Sequence, residues 1–224
     1  MVIEPMKCGT EEFEVHLPEE LIAAELEPNR VELPQRTPAE HIRWALDHPV
    51  DSAPLKELVK AGDKVCIVIS DVTRRWQSPE TYIPVLIAEL ESAGIRDEDM
   101  LIISATGTHR RQTPEEHMGL VTKEVYERIE LVDHVCTDEE NLSYVGTTSR
   151  GTPVWLDKRA LACDKIILTG GVVYHFMAGF GGGRKSILPG IAGRETIMKN
   201  HNLALNPGLG NGSNPQVRSA NMNA

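Results

Sequence analysis

From Lys64 to Ser70 the chain reads Lys-Val-Cys-Ile-Val-Ile-Ser, a continuous β-branched run without alternation. A strand with one wet face alternates apolar and polar residues, whereas one covered on both faces does not. The run therefore predicts a fully buried strand. Ile83, Leu86, Ile87 and Leu90 then recur at helical spacing. Ser78-Pro79-Glu80 supplies a cap and a first-turn proline for that helix, and Gly94 ends it. Met100 to Ala105 returns as a second buried strand, so this stretch predicts a βαβ unit. A third strand, Lys165 to Thr169, follows a helical stretch near Leu156 to Ala162. The pattern predicts an α/β fold, a mostly parallel sheet flanked by helices.

Outside this core the pattern is weaker. Residues 1–60 read as a lead-in and linker: Phe13 to Leu17 alternates like a strand, Leu33 to Pro38 is a proline-bounded linker, and His41 to Asp47 is helical before Pro49 to Pro54 breaks it. Residues 61–205 form the core. Residues 206–224 are rich in Gly, Asn, Pro and Ser and end without a capping element, the pattern expected of a chain cut short of a second domain.

Composition narrows the function. A formal net charge of −10 argues against a nucleic-acid partner, which calls for a basic face. Four cysteines are widely spaced with no C-x-x-C pair, which suits reduced thiols in a cytoplasmic protein and excludes a cysteine zinc site. No signal pattern or membrane-length apolar run is present, so no membrane partner is expected. Against the acidic background, Arg184, Lys185, Arg194 and Lys199 cluster, with Glu195 opposing them. A local basic island of this kind suits a small anionic ligand.

That island includes Gly179-Phe180-Gly181-Gly182-Gly183-Arg184-Lys185-Ser186. A P-loop reads G-x-x-x-x-G-K-S/T, and here Arg184 occupies the position of the second glycine. The segment has permissive backbone, clustered amides and two cations, but departs from an ordinary ATP or GTP loop. Like-charge repulsion from Arg184 favours the neutral amine of Lys185, and a bound phosphate acts the other way.

The three buried strands each run into a polar cluster: Asp71-Val72-Thr73-Arg74, Thr106-Gly107-Thr108-His109-Arg110, and Gly170 to His175. In an open parallel sheet, ligands bind beyond the carboxyl ends of the strands, so Asp71, Arg74, His109, His175 and Lys185 are expected to share one crevice. Taken alone, Asp71 reads equally well as a turn cap paired with Arg74, and a single loop histidine as structural. Two histidines at two strand ends shift the balance towards chemistry. With a reference pKa near ~6.5 each can take or give a proton, and a pair on opposite sides of one carbon is what a racemase or epimerase requires. Arg74 offers a planar fork for a carboxylate. His201 reads from spacing alone as a helix-surface histidine. His16, His41, His48, His117 and His134 lie in helical or peripheral settings without an assigned role.

In order and spacing, Asp71-Val72-Thr73-Arg74, Thr106-Gly107-Thr108-His109, His175, the Gly181 to Gly190 segment and Asn200-His201 resemble the nickel-pincer lactate racemases, a family of 2-hydroxyacid racemases and epimerases. The resemblance implies a Rossmann-like N-terminal domain of a two-domain enzyme. It also implies a nickel-containing pyridinium mononucleotide with thioamide and thiocarboxylate sulfur ligands, covalently attached at Lys185 and supplied by cofactor-synthesis enzymes. His201 would ligate nickel, His109 and His175 would be the acid/base pair, and Arg74 would bind substrate. Asp71, Thr73, Gly181, Gly182, Gly183, Arg184 and Ser186 would serve the cofactor. Trp76 stands where relatives commonly carry a proline shortly after the arginine, which makes lactate itself less certain as the substrate. Without a second domain, the chain is expected to hold cofactor without efficient turnover. The alternatives are a non-catalytic phosphate- or nucleotide-ligand module, or an NAD-linked dehydrogenase or phosphoryl transferase. The last two match poorly, for lack of a G-x-G-x-x-G turn and an intact P-loop.

Overall fold

The computed structural model describes residues 1–25, 31–175 and 178–205. The Gly- and Asn-rich segment from Asn206 onward lies outside the described residues.

Two compact units are present, Met1–Gln35 and Arg36–Ala224. In the first, β1 (Val2–Cys8) and β2 (Glu11–Leu17) form an antiparallel hairpin with Cys8 opposite Glu11. The two-residue connection needs a left-handed backbone, and Gly9 supplies it with φ of 64°.

The second unit opens with α1 (Pro38–Asp47), whose start is a reciprocal cap: Thr37 Oγ1 accepts the Glu40 amide and Glu40 accepts the Thr37 amide. After α2 (Leu55–Leu58) come β3 (Val65–Ser70), α3 (Pro79–Ser92) and β4 (Met100–Ala105). These match the predicted βαβ unit, and β3 pairs parallel to β4 in register from Val65 opposite Met100. Ser78 does precede α3, but its side chain makes no cap bond and its backbone is left-handed at φ of 52°. Gly94 ends α3 as expected: its amide bonds the Glu91 carbonyl and the Ile95 amide bonds the Leu90 carbonyl, closing the last turn.

Next follow α4 (Pro114–Val121), α5 (Lys123–Arg128) and β5 (Glu130–Asp133). Then β6 (Leu142–Thr147) and β7 (Pro153–Asp157) form an antiparallel hairpin. The helix expected near Leu156 to Ala162 is shorter, α6 (Lys158–Leu161): Leu156 belongs to β7, and the Asp157 carboxylate caps the helix by accepting the Arg159 amide. The chain continues with β8 (Lys165–Leu168), the two-residue strands β9 (Tyr174–His175) and β10 (Gly179–Phe180), and α7 (Arg194–His201).

The central sheet is parallel, in the order β5-β4-β3-β8. β3 shows why its sequence lacks alternation. Val65, Ile67 and Ile69 join the core with α3, α4 and α5 on one face, while Cys66 and Val68 pack on the other face with Ile103, Ala160 and Ile191. These five of the six β3 side chains are fully buried, the larger ones worth about 1.5–3 kcal/mol each. Among the described residues no helix is long and apolar enough to cross a membrane.

Behind the second face, Gly190 touches backbone. A Cβ there would stand 2.2 Å from the Ser186 carbonyl oxygen and 2.8 Å from Ala105 Cβ. Gly190→Ala is therefore expected to destabilise the fold by about 3 kcal/mol, overpacking a site that cannot widen without moving β4. Chemical denaturation of the two proteins checks this; equal midpoints and slopes would contradict it.

Candidate active site

β3 ends at Ser70, and the chain turns at Asp71 into a short 3-10 segment, Val72–Gln77. The start of that segment is anchored from outside: Gln112 accepts the Val72 amide and donates to Ser104 Oγ and Asp133. The Asp71 carboxylate is buried, which would be costly without partners. Oδ1 accepts Thr73 Oγ1 at 2.6 Å and the Arg74 guanidinium at 3.5 Å, and Oδ2 takes His109 Nδ1 at 2.5 Å. A carboxylate only accepts, so the proton of neutral His109 sits on Nδ1 and Nε2 keeps its lone pair.

His109 stands on the loop beyond β4. Gly107 in that loop has φ of 58° and donates its amide to the Gly190 carbonyl. His175, at the end of β9, has the opposite arrangement: its Nδ1 accepts the Ala178 amide at 3.1 Å, so the ring proton sits on Nε2. Both rings line one cleft of about 140 Å³ together with Arg74, Gly181, Gly182, Lys185 and Ser186. The convergence expected from three strand ends is thus present.

The electrostatics are those of a cleft crowded with bases. Burial, then the charges of Lys185, Arg74 and His201, push the His175 pKa down. Burial and then Arg74 push Lys185 down, so the neighbour responsible is Arg74 and not Arg184 as the sequence suggested. Arg184 lines a different cavity, with Ile187, Leu188, Thr196 and Asn200, because adjacent residues of the 3-10 turn Gly183–Ser186 point apart. The anion-cradle reading is also reduced: the Gly181 amide donates to Val173 and the Lys185 amide to Gly182. The glycines serve close packing instead, since a Cβ on Gly182 would meet the Gly171 carbonyl at 3.0 Å. Ser186 spends its hydroxyl on the Thr169 carbonyl.

Asp71 and Thr73 stand behind the cleft and hold its residues. His201, near the end of α7, does not line it, but burial and the charge of Lys185 lower its pKa against the opposing bond to Ile197. Its Nδ1 donates to the Ile197 carbonyl at 2.9 Å, leaving Nε2 as the nitrogen able to take a metal. Among the described residues no three His, Cys, Asp or Glu side chains converge as a metal cage.

Two histidines set aside in the sequence have structural work. His134 is buried, with Nδ1 at 3.0 Å from Asp157 and Nε2 at 2.9 Å from the Ala192 carbonyl, and its own carbonyl accepts Thr106 Oγ1. It thereby ties the His109 loop to the segment that follows Lys185. Burial alone would raise the Asp157 carboxyl, but bonds from Arg159 and His134 hold it at about 2. His117 bonds Asp133, whose carboxyl the His117 and Gln112 bonds hold down against burial. Only the finished packing brings these partners together, and no spacing signals it.

A family model described as the lactate racemase N-terminal domain matches residues 8–212. The lactate racemase of Lactiplantibacillus plantarum is 38% identical over 162 residues, covering 72% of this chain and 38% of that protein. That of Thermoanaerobacterium thermosaccharolyticum is 34% identical over 160 residues, with 71% and 37% covered. The aligned stretch covers under two fifths of these relatives' length. The solved lactate racemase apoprotein from Thermoanaerobacterium thermosaccharolyticum superposes with a TM-score of 0.77 at 30% identity, covering 99% of this chain and 52% of that one. A Thermotoga maritima crystal structure shares the fold, with a TM-score of 0.63 at 24% identity over 82% of this chain and 45% of that one.

A lowered Lys185 pKa means a larger neutral, nucleophilic fraction at a given pH than an exposed lysine has. In pH-resolved labelling with acetic anhydride, the Lys185 midpoint is expected below 10.5 and below those of exposed lysines. Arg74→Gln removes a positive charge and should move that midpoint up. Identical midpoints for Lys185 and the surface lysines would contradict the geometry.

Proposed function

Because the chain belongs to the lactate racemase N-terminal domain family, we propose that it is the cofactor-holding part of a racemase or epimerase of a small 2-hydroxyacid, lactate or a related acid. The observation that carries this reading is the pair His109 and His175 in one cleft, the first backed by Asp71, with half-buried Lys185 between the same walls.

The residues fit a nickel-pincer pyridinium mononucleotide. Lys185 has the depressed amine basicity that covalent attachment needs, and His201 offers one neutral imidazole nitrogen as a protein ligand. Sulfur donors from the mononucleotide would complete a coordination that the described residues alone do not provide. Bound there, the group supplies a hydride-accepting centre for C2 of the hydroxyacid.

The chain's own residues do the rest. Arg74, half in solvent and tethered to Asp71 and Thr73, holds the substrate carboxylate in its guanidinium fork. His109 accepts the hydroxyl proton at Nε2 while Asp71 steadies the resulting imidazolium from Nδ1. His175, its Nδ1 occupied by the Ala178 amide, presents an N–H to the substrate oxygen. To act as base for the opposite stereoisomer, that ring has to give up the Ala178 contact. We place the enzyme in the cytoplasm, where cofactor-synthesis enzymes would load it.

Intact mass and metal content test the reading on protein produced together with the cofactor-synthesis enzymes. One adduct per chain with stoichiometric nickel is expected, and Lys185→Ala should lose both. No adduct under those conditions, combined with tight ATP or NAD binding, would sink the reading.

A further inference from the structure

Gln77 closes the 3-10 segment after β3 and lies against the glycines that follow β8. A Cβ at Gly171 would stand 3.1 Å from Gln77 Nε2 and 3.2 Å from its Cδ, so the carboxamide can occupy this place because position 171 is glycine. A Cβ on Gly170, whose φ is 148°, would meet Gln77 Oε1 at 3.7 Å, Ser70 Oγ at 3.6 Å and Gly182 Cα at 3.6 Å. The side chain is therefore wedged between two backbone segments of the cleft wall.

Despite this packing, Gln77 Oε1 is sealed from solvent and has no hydrogen-bond partner among the described residues. A buried amide oxygen left unbonded carries the full cost of its desolvation. Glu80 Oε2 and Glu89 Oε1 are also unbonded, but they lie on α3 and neither residue lines the cleft. Gln77 does line it, beside Lys185 and Gly182. Its neighbour Trp76, also in the lining, is 62% exposed and offers an apolar face to a ligand larger than three carbons.

We propose that Gln77 is a ligand-contact residue, its carboxamide turning on binding so that its oxygen accepts a hydrogen bond from a hydroxyl of the molecule in the cleft, outside the 2-hydroxyacid core. The identity of that molecule rests on the function proposed above. The same chemistry is offered by a ribose hydroxyl of a pyridine mononucleotide and by a further hydroxyl on the substrate acid. A carboxamide recognises either without adding charge to a cleft that already holds Arg74 and Lys185.

Binding of four probes distinguishes these sources: nicotinic acid mononucleotide against nicotinate, and 2,3-dihydroxypropanoate against lactate. Affinities and the Gln77 side-chain amide resonances are measured for the parent chain, Gln77→Leu and Gln77→Glu. The Gln77 signals are expected to shift with the hydroxyl-bearing member of one pair. Gln77→Leu should weaken that member about 5- to 10-fold and leave its counterpart unchanged, while Gln77→Glu keeps an acceptor oxygen and the preference. Loss confined to the mononucleotide assigns the hydroxyl to the cofactor, and loss confined to the dihydroxy acid assigns it to the substrate. The proposal is overturned if no probe moves the Gln77 signals, or if Gln77→Leu binds all four as the parent does. A missing Lys185 adduct bears on the cofactor reading alone and leaves these affinities legible; if the leucine variant does not fold, the parent's resonances decide.

Discussion

Position 190 has no room for a side chain, and the cleft is built on that fact. With only hydrogen there, the backbone settles against Ser186 and Ala105 closely enough for the Gly190 carbonyl to take the Gly107 amide and for its own amide to reach the Lys185 carbonyl. The loop carrying His109 and the turn carrying Lys185 are thereby joined through one residue. His134 makes a second tie one layer deeper, from the end of β4 through Thr106 to Ala192. Each bond contributes only about 1 kcal/mol net, but breaking one leaves a buried group without a partner, which costs about 1–3 kcal/mol. The two loops consequently hold their places as a unit.

The cleft collects positive charge in a chain of net charge −10. His175 and Lys185 in the cleft, and His201 outside its lining, all have depressed basicity, burial being the largest cause for each, and each also feels at least one other cation. Asp71 is the buried acid of the group, and its oxygens are taken up by Thr73, Arg74 and His109. An incoming carboxylate or phosphate would relieve that mutual repulsion. The cleft thus suits anions without needing the amide cradle that the glycine-rich motif suggests.

The sequence makes legible whatever its local pattern encodes. The continuous run of β3, the helical spacing of α3 and the run of β4 are each decided by burial on two faces or one, so they read off directly. The strand ends then place His109, His175, Arg74 and Lys185 together without any knowledge of side-chain direction. What stayed hidden depends on direction or on distant partners. β5 is four residues long and begins with Glu130, too short and too polar for a periodicity. Arg184 and Lys185 look equivalent until the turn sends them to different cavities. His134 looks peripheral because Asp157 and Ala192, which bury it, lie 23 and 58 residues along the chain.

Under the proposed function, the opposed ring tautomers of His109 and His175 constrain how the racemase would behave. Mirror-image substrates have equal free energies in water, so thermodynamics forces the same specificity constant in both directions however unlike the two histidines are. The asymmetry of the protein can then surface only as a matched trade. The enantiomer that meets the resting base turns over with one pair of kcat and KM values. Its mirror image meets a ring that must first exchange its proton, and any loss in kcat must be accompanied by a proportionate fall in KM. A backbone amide three residues away would thus set how long each hand of the substrate waits in the site, while leaving the final mixture even.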